Sequence, residues 1–316
     1  LWGGAIKVNA GTLSQGMTVA LYDYMSQILI ELVKFANLVV SISRALASAK
    51  RVQAALDTDS ETENEERHET SDSYIEFRNV GVKYTDGSVG VKNINFKVNK
   101  GDTIGIIGGT GSGKSTIVNL LPRLYDASEG IVFLDGKDVK SYSLKELRKK
   151  IGIALQRPAV FKGTIRSNVS PLGDLSDENI NAGIEKAQAA DVVKSKESGI
   201  DSVLEQNGRN LSGGQRQRIS VARALAKRPE VLILDDSSSA LDYITDLKLR
   251  RAIKNSDYPV TTFIVSQRAS SVAGADKIIV MDEGEIVGIG TADELRKTCP
   301  VFRETEASQM SGEARK

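Results

Sequence analysis

One short stretch restricts this chain more than any other. Residues 108–116 read GGTGSGKST and match G-x-x-x-x-G-K-[ST] through Gly108, Gly113, Lys114 and Ser115. A backbone through Gly108, Gly109, Thr110, Gly111, Ser112 and Gly113 can curl so that successive N–H groups converge on phosphate oxygens. Lys114 adds a positive charge for β- and γ-phosphates, and the Ser115 hydroxyl can ligate Mg²⁺. From Thr116 a helix-like run, IVNLL, directs its positive end at the same phosphates. The apolar run TIGII (103–107) precedes the loop. The motif therefore predicts a strand, a phosphate cradle and a helix inside an α/β domain that binds a nucleotide.

The remaining sequence agrees with such a domain from Tyr74 onward. IEFRNVGVKY (75–84) and VKNINFKV (91–98) alternate apolar and polar residues, as half-buried antiparallel strands do. IGIAL (151–155), VLILD (231–235), TTFIV (261–265) and KIIVM (277–281) are short continuous apolar runs, the pattern of strands buried on both faces. Helical patterns are expected near 114–124, 177–190, 214–227 and 242–254. Together these predict a mostly parallel sheet with an antiparallel β addition at its start.

Residues 17–42, MTVALYDYMSQILIELVKFANLVVSI, are long enough for a membrane helix but are interrupted by Asp23, Glu31 and Lys34. Hydropathy alone leaves a membrane span and a buried amphipathic helix equally open. SRALASAKRVQAAL (43–56) continues a helical pattern with Arg44, Lys50 and Arg51, which suits the cytoplasmic end of a span. Residues 57–73 then turn acidic, without aliphatic or aromatic residues, and read as a flexible linker. The first residue is Leu1, which suggests a fragment or a processed chain, and no signal-peptide pattern precedes the apolar run.

Composition sets three bounds. With 42 Lys plus Arg against 41 Asp plus Glu, the net charge is +1, which argues against a surface built for nucleic acid or anionic lipid. The single cysteine, Cys299, rules out an intrachain disulfide. The single histidine, His68, lies in the acidic stretch, so neither a multi-histidine metal site nor histidine chemistry is available in the globular part.

Two further motifs carry chemistry. VLILDD (231–236) is a buried strand ending in two carboxylates: Asp235 stands where Mg²⁺ must be held, and Asp236 is next in line to polarise a water. In LSGGQRQRISVARAL (211–225), Ser212 can cap the following helix, while Gly213 and Gly214 permit close approach of a ligand where alanine would suit the helix better.

The P-loop, LSGGQ and VLILDD, in this order and spacing, resemble the nucleotide-binding domain of an ABC transporter, over residues 74–300. The resemblance implies an α/β P-loop NTPase (ABC ATPase) domain: a mostly parallel sheet, an antiparallel β subdomain and a helical subdomain. It implies ATP and Mg²⁺ as ligands, with Tyr84 stacking on adenine and Gln156 as the glutamine that senses Mg²⁺ and the transmembrane domain. Leu211, Ser212, Gly213, Gly214 and Gln215 become the signature that reaches a partner's nucleotide, and Ser239, Ala240, Leu241 and Asp242 the D-loop. Residues 1–56 are similar to the last transmembrane helix of an exporter and its cytoplasmic extension, which makes the chain the C-terminal part of a half-transporter with earlier helices absent. The implied setting is a plasma membrane, multi-pass in the full-length protein, with the ATPase domain in the cytoplasm and the tail 301–316 polar and without a motif.

Two departures from the family pattern matter. Glu normally follows the Walker B aspartate, but this chain has Asp236, one methylene shorter by roughly 1.5 Å. The switch histidine is replaced by Gln267 in VSQR, which can hydrogen-bond a γ-phosphate but has no imidazole proton chemistry. The expectation is a site that binds ATP and hydrolyses it poorly, in the degenerate half of a heterodimeric exporter of unknown substrate. The alternatives are a self-sufficient homodimeric exporter with slow ATPase activity and a regulatory ABC protein without transport.

Overall fold

The structure is a computed structural model that describes residues 2–57 and 69–313. Most of the expected linker at 57–73, His68 included, lies outside the described residues. The chain divides into two units, Leu1–Thr62 and Glu63–Lys316.

The first unit holds α1 (Trp2–Asn9) and α2 (Gln15–Leu56). The Ser14 side chain caps α2 by accepting from the Met17 N–H at 3.2 Å. At 1.5 Å per residue the 42 residues of α2 extend about 63 Å, roughly twice a bilayer's hydrocarbon core. The helix is long and apolar enough to cross a membrane by length and composition, and none of its side chains is buried. Of the charges that interrupt its apolar run, Glu31 and Lys34 pair across one turn at 2.7 Å. That turn therefore carries no net charge.

The second unit opens with β1 (Ile75–Lys83) and β2 (Val89–Val98), paired antiparallel with Phe77 stacked on Phe96. Next comes β3 (Thr103–Gly108), followed by the P-loop and α3 (Lys114–Leu120). α3 is shorter than the expected 114–124 because Pro122 has no N–H to extend the helical hydrogen bonds and Arg123 takes a left-handed φ of 49°. β4 (Glu129–Leu134) and β5 (Lys137–Asp138) then return to the antiparallel sheet, giving the order β2-β1-β4-β5. α4 (Leu144–Lys150) leads into β6 (Ile151–Ala154).

A helical block follows: β7 (Gly163–Thr164), α5 (Ile165–Val169), α6 (Asp177–Lys186), α7 (Ala190–Lys194), β8 (Val203–Leu204) and α8 (Gly213–Ala226). The single helix expected over 177–190 ends early because Gln188 takes a left-handed φ of 55°. The chain closes with β9 (Val231–Asp235), α9 (Tyr243–Lys254), β10 (Thr261–Ser266), α10 (Ala269–Val272), β11 (Lys277–Asp282), β12 (Glu285–Gly290), α11 (Ala292–Thr298) and α12 (Pro300–Glu313). The last covers most of the tail expected to be polar and without a motif: the segment is helical, starts on a proline suited to a helix's first turn, and buries Phe302 completely.

The central sheet has the order β12-β11-β3-β10-β9-β6, parallel except for β12. Its strands read as continuous apolar runs because both faces are covered. In β9, Val231 and Ile233 enter one core with Ile104, Ile117 and Phe263, while Leu232 and Leu234 enter the other with Ile219 and Leu225. Gly105 in β3 is required by packing, since a Cβ there would stand 2.6 Å from Val272 Cβ. This sheet sets the C-terminal ends of β3, β9 and β10 side by side, where ligands bind in open α/β sheets.

Candidate nucleotide site

The cradle is a strand-to-helix turn whose shape only glycine allows. Gly111 and Gly113 have φ of +81° and +93°, and a Cβ on Gly113 would lie 2.4 Å from Val91 Cγ1. The Ser112 hydroxyl donates to the Gly109 carbonyl at 2.9 Å and holds the loop closed on itself. Gly109, Thr110 and Gly111 stand on the exposed rim, with nothing within 4 Å of a Cβ built on Gly109 or Gly111.

Lys114 is buried, and its Nζ donates to the Gly108 carbonyl at 2.9 Å, to the Gly109 carbonyl and to Ser112 Oγ. Burial lowers its pKa, against the opposing pull of Asp235 and Asp236. An ammonium held by neutral carbonyls, with two acids nearby, can exchange those carbonyls for phosphate oxygens at little steric cost. Ser115 Oγ, at the start of α3, donates to Asp235 Oδ1 at 3.0 Å. Asp235 is only 6% exposed, and burial is the main cause raising its pKa, offset in part by the Ser115 hydroxyl.

Asp236 follows directly, with a φ of 45° that Asp tolerates better than most residues. Its Oδ2 accepts from Gln156 Nε2 at 3.1 Å, and its N–H bonds the Val265 carbonyl. Lys114, Ser115, Gln156, Asp235 and Asp236, expected from the sequence to work together, thus meet at one point. The Ser115–Asp235 oxygen pair also fits Mg²⁺: adjacent ligands of an octahedral ion with bonds of 2.0–2.1 Å stand about 2.9 Å apart.

Tyr84 lies at the mouth of the cradle, where a cleft of about 280 Å³ is lined by Tyr84, Val89, Gly90 and the loop residues. Its hydroxyl bonds Thr116 Oγ1 at 2.7 Å and its ring meets Tyr125 edge-on at 5.9 Å. Gly90 is needed beneath it, because a Cβ there would touch the Tyr84 ring at 2.8 Å.

The signature segment forms the start of α8, away from these hydrogen bonds. Ser212 accepts from the Gln215 N–H while the Gln215 side chain accepts from the Ser212 N–H at 2.9 Å, a reciprocal cap. Leu211 is buried. The two glycines differ: a Cβ on Gly214 would lie 3.0 Å from the Ala240 carbonyl, whereas one on Gly213 would meet nothing within 4 Å. The D-loop packs there: Ser239 Oγ donates to the Asp236 carbonyl, Leu241 is buried, and Asp242 caps α9 by accepting from the Thr245 N–H. Gln267 is exposed between β10 and α10, and among the described residues its side chain is not hydrogen-bonded to Asp235 or Asp236.

Several contributors escaped the sequence reading. Gln217, fully buried on α8, donates to the Leu155 carbonyl at 3.2 Å, one residue from Gln156. Arg223 Nε donates to the Asn168 carbonyl at 2.6 Å, and Asn168 in turn ties down both backbone groups of Phe161. The available signal was that Gln217 and Arg223 are polar positions within QRISVARAL (217–225), a run whose side chains are otherwise mostly small or apolar and buried. The other is Gln309 on α12, which reaches the backbone of Gln267.

Comparisons with known proteins agree with this geometry. The ABC transporter family matches over residues 91–239. The ABC transporter ATP-binding protein YfiB of Bacillus subtilis is 37% identical over 99% of the chain, and the chain covers 55% of that relative. The probable multidrug resistance ABC transporter ATP-binding/permease protein YheH, also of Bacillus subtilis, is 39% identical over 93% of the chain and 44% of its own length. The ATP-dependent lipid A-core flippase of Hahella chejuensis is 38% identical over 80% of the chain and 44% of its own length. The chain thus spans about half the length of these curated relatives. Among solved structures, a bacterial Atm1-family ABC exporter with ATP bound superposes with a TM-score of 0.77 at 28% identity, covering 94% of this chain and 53% of that one. The chain therefore carries an ABC transporter domain of the P-loop NTPase class, preceded by an N-terminal helix.

Proposed function

We propose that this chain is the ATP-binding part of an exporter that works as a dimer in a membrane, and that its own site holds ATP but hydrolyses it poorly. The observation that carries the reading is the linked set beside Lys114. Ser115 meets Asp235 and Gln156 meets Asp236, so the cradle is intact while its last acid is the short one. Tyr84 would stack on adenine, the backbone from Gly108 to Gly113 with Lys114 and Thr116 would hold the phosphates, and Ser115, Gln156 and Asp235 would hold Mg²⁺. That ion would supply charge neutralisation at the β- and γ-oxygens.

Asp236 would orient the attacking water from a carboxylate set back by roughly 1.5 Å. A 1 Å misplacement can cost about a hundredfold. Gln267 would accept the task of meeting the γ-phosphate without offering a titrating imidazole. The signature residues Leu211 to Gln215 would complete the nucleotide site of a second half-transporter, and the open space at Gly213 supports this. A heterodimer, whose partner supplies Glu and His, gives one working site. Closure would reach the membrane helices through residues 156–168, which Asn168 and Arg223 tie to α8.

In this reading residues 1–56 end the transmembrane domain, 57–73 link it to a cytoplasmic ATPase domain at 74–300, and the full-length protein is multi-pass in the plasma membrane. The relatives named for multidrug resistance and lipid A-core flipping favour an amphipathic cargo. The test is Mg-ATP binding and turnover by the full chain in detergent, beside an Asp236→Glu plus Gln267→His version. Tight binding with background turnover is expected, rising by about tenfold to a hundredfold in the double substitution. Equal turnover in both proteins would favour a self-sufficient homodimer instead.

A further inference from the structure

The switch segment after β10 lacks a cap of its own. Helix α10 begins at Ala269 behind Arg268, whose side chain makes no capping hydrogen bond. The first N–H groups of a helix need acceptors from outside it. Here the acceptor comes from the far end of the chain: Gln309 Oε1 accepts from the Ala269 N–H at 2.8 Å. The same amide donates through Nε2 to the Gln267 carbonyl at 2.7 Å. One carboxamide therefore grips a donor and an acceptor on either side of Arg268. A carboxylate could satisfy only the donor, and a lysine only the acceptor.

Gln309 is itself held in place. Phe302 is fully buried in the core, and Glu306 pairs with Arg296 of α11 through Nη2 at 2.8 Å and Nε at 3.0 Å. Residues 302, 306 and 309 recur at helical spacing and share one face of α12. The anchor, the ion pair and the clamp thus line up toward the switch.

We infer that Gln309 is a positioning residue for Gln267, so that the last helix of the chain sets how the site senses a γ-phosphate. The inference rests on the reading above in which Gln267 meets the γ-phosphate. It predicts an effect that distinguishes ATP from ADP, because only ATP carries the group that Gln267 would touch.

The test is the ratio of ATP to ADP affinity, measured by calorimetry with Mg²⁺ on the full chain in detergent. Gln309→Ala, Gln309→Glu and Gln267→Ala are compared with the unaltered protein, with thermal melts alongside. The expected result is a ratio lowered at least threefold in all three variants, with ADP affinity unchanged. Gln309→Glu retains the bond to Ala269 but sets an anionic oxygen against the Gln267 carbonyl, so it keeps the helix cap while losing the grip on Gln267. An unchanged ratio in the Gln309 variants, with Gln267→Ala still lowering it, would overturn the inference and leave the site reading intact. If Gln267→Ala has no effect, the γ-phosphate role of Gln267 falls and the inference falls with it. Equal losses for ATP and ADP in the Gln309 variants would mark a merely structural contact and also overturn it.

Discussion

Asp235 stands under two opposed demands. Its place at the end of β9 buries a carboxylate against a neutral hydroxyl, and burial holds its folded-state pKa above the ordinary value of about 3.9. A raised carboxyl favours the protonated folded state; that contribution is complete below about pH 4 and is lost as pH rises through the higher folded value. At neutral pH the nucleotide-free chain therefore carries a destabilising charge that a cation would relieve. Asp235→Asn should raise the melting temperature of the nucleotide-free protein at pH 7 by about 2 °C and shrink the further rise on adding Mg-ATP. A melt that falls, or an undiminished response to Mg-ATP, would contradict this. Such residues are legible in a sequence because the chemistry dictates their types and their neighbours in the chain. Gln309 and Arg223 are not, because each acts on backbone groups brought near only by folding, 42 and 55 residues away.

Helix α8 shows the same division at the scale of an element. Its start was readable because serine is a favoured cap residue, while the return bond from Gln215 that makes the cap reciprocal was added by the structure. Ser212→Ala should cost about 1 kcal/mol of stability, read by urea denaturation. The two glycines that follow look alike in sequence and differ in space. Gly213→Ala meets nothing and should leave stability within about 0.5 kcal/mol of the original. Gly214→Ala must push the Ala240 carbonyl aside and should lose about 1 kcal/mol, the smaller end of overpacking costs. Equal stabilities for the two variants would show that the D-loop yields freely. The strands buried on both faces announced themselves as apolar runs. β12 did not, because no residue of this edge strand is fully buried. α12 was missed for a related reason: its core contact is Phe302, with Val301 only half-buried against the core, too little for a helical pattern.

Across the whole molecule, burial is distributed very unevenly. Every buried apolar side chain among the described residues lies at Ile75 or beyond, all but Phe133 in two cores that flank the central sheet. The first unit contributes none, although α2 exposes Leu29, Leu32, Val33 and Phe35 along its length. Apolar burial at about 25 cal/mol per Å² is the main favourable term in folding, so the two units have opposite requirements. The second unit holds its own cores, whereas α2 must find lipid or other helices to cover its surface. The apolar run alone could not separate a bilayer helix from a core helix; in the structure α2 is long and apolar enough to cross a membrane, and none of its residues is buried. Residues 69–316 expressed alone should therefore be soluble and monodisperse, unfold in one cooperative transition, and bind Mg-ATP as tightly as the full chain. Residues 1–57 alone should be recovered only in detergent or vesicles. Aggregation of 69–316, or an ATP affinity well below that of the full chain, would mean that the first unit supports the ATPase domain in a way that burial does not reveal.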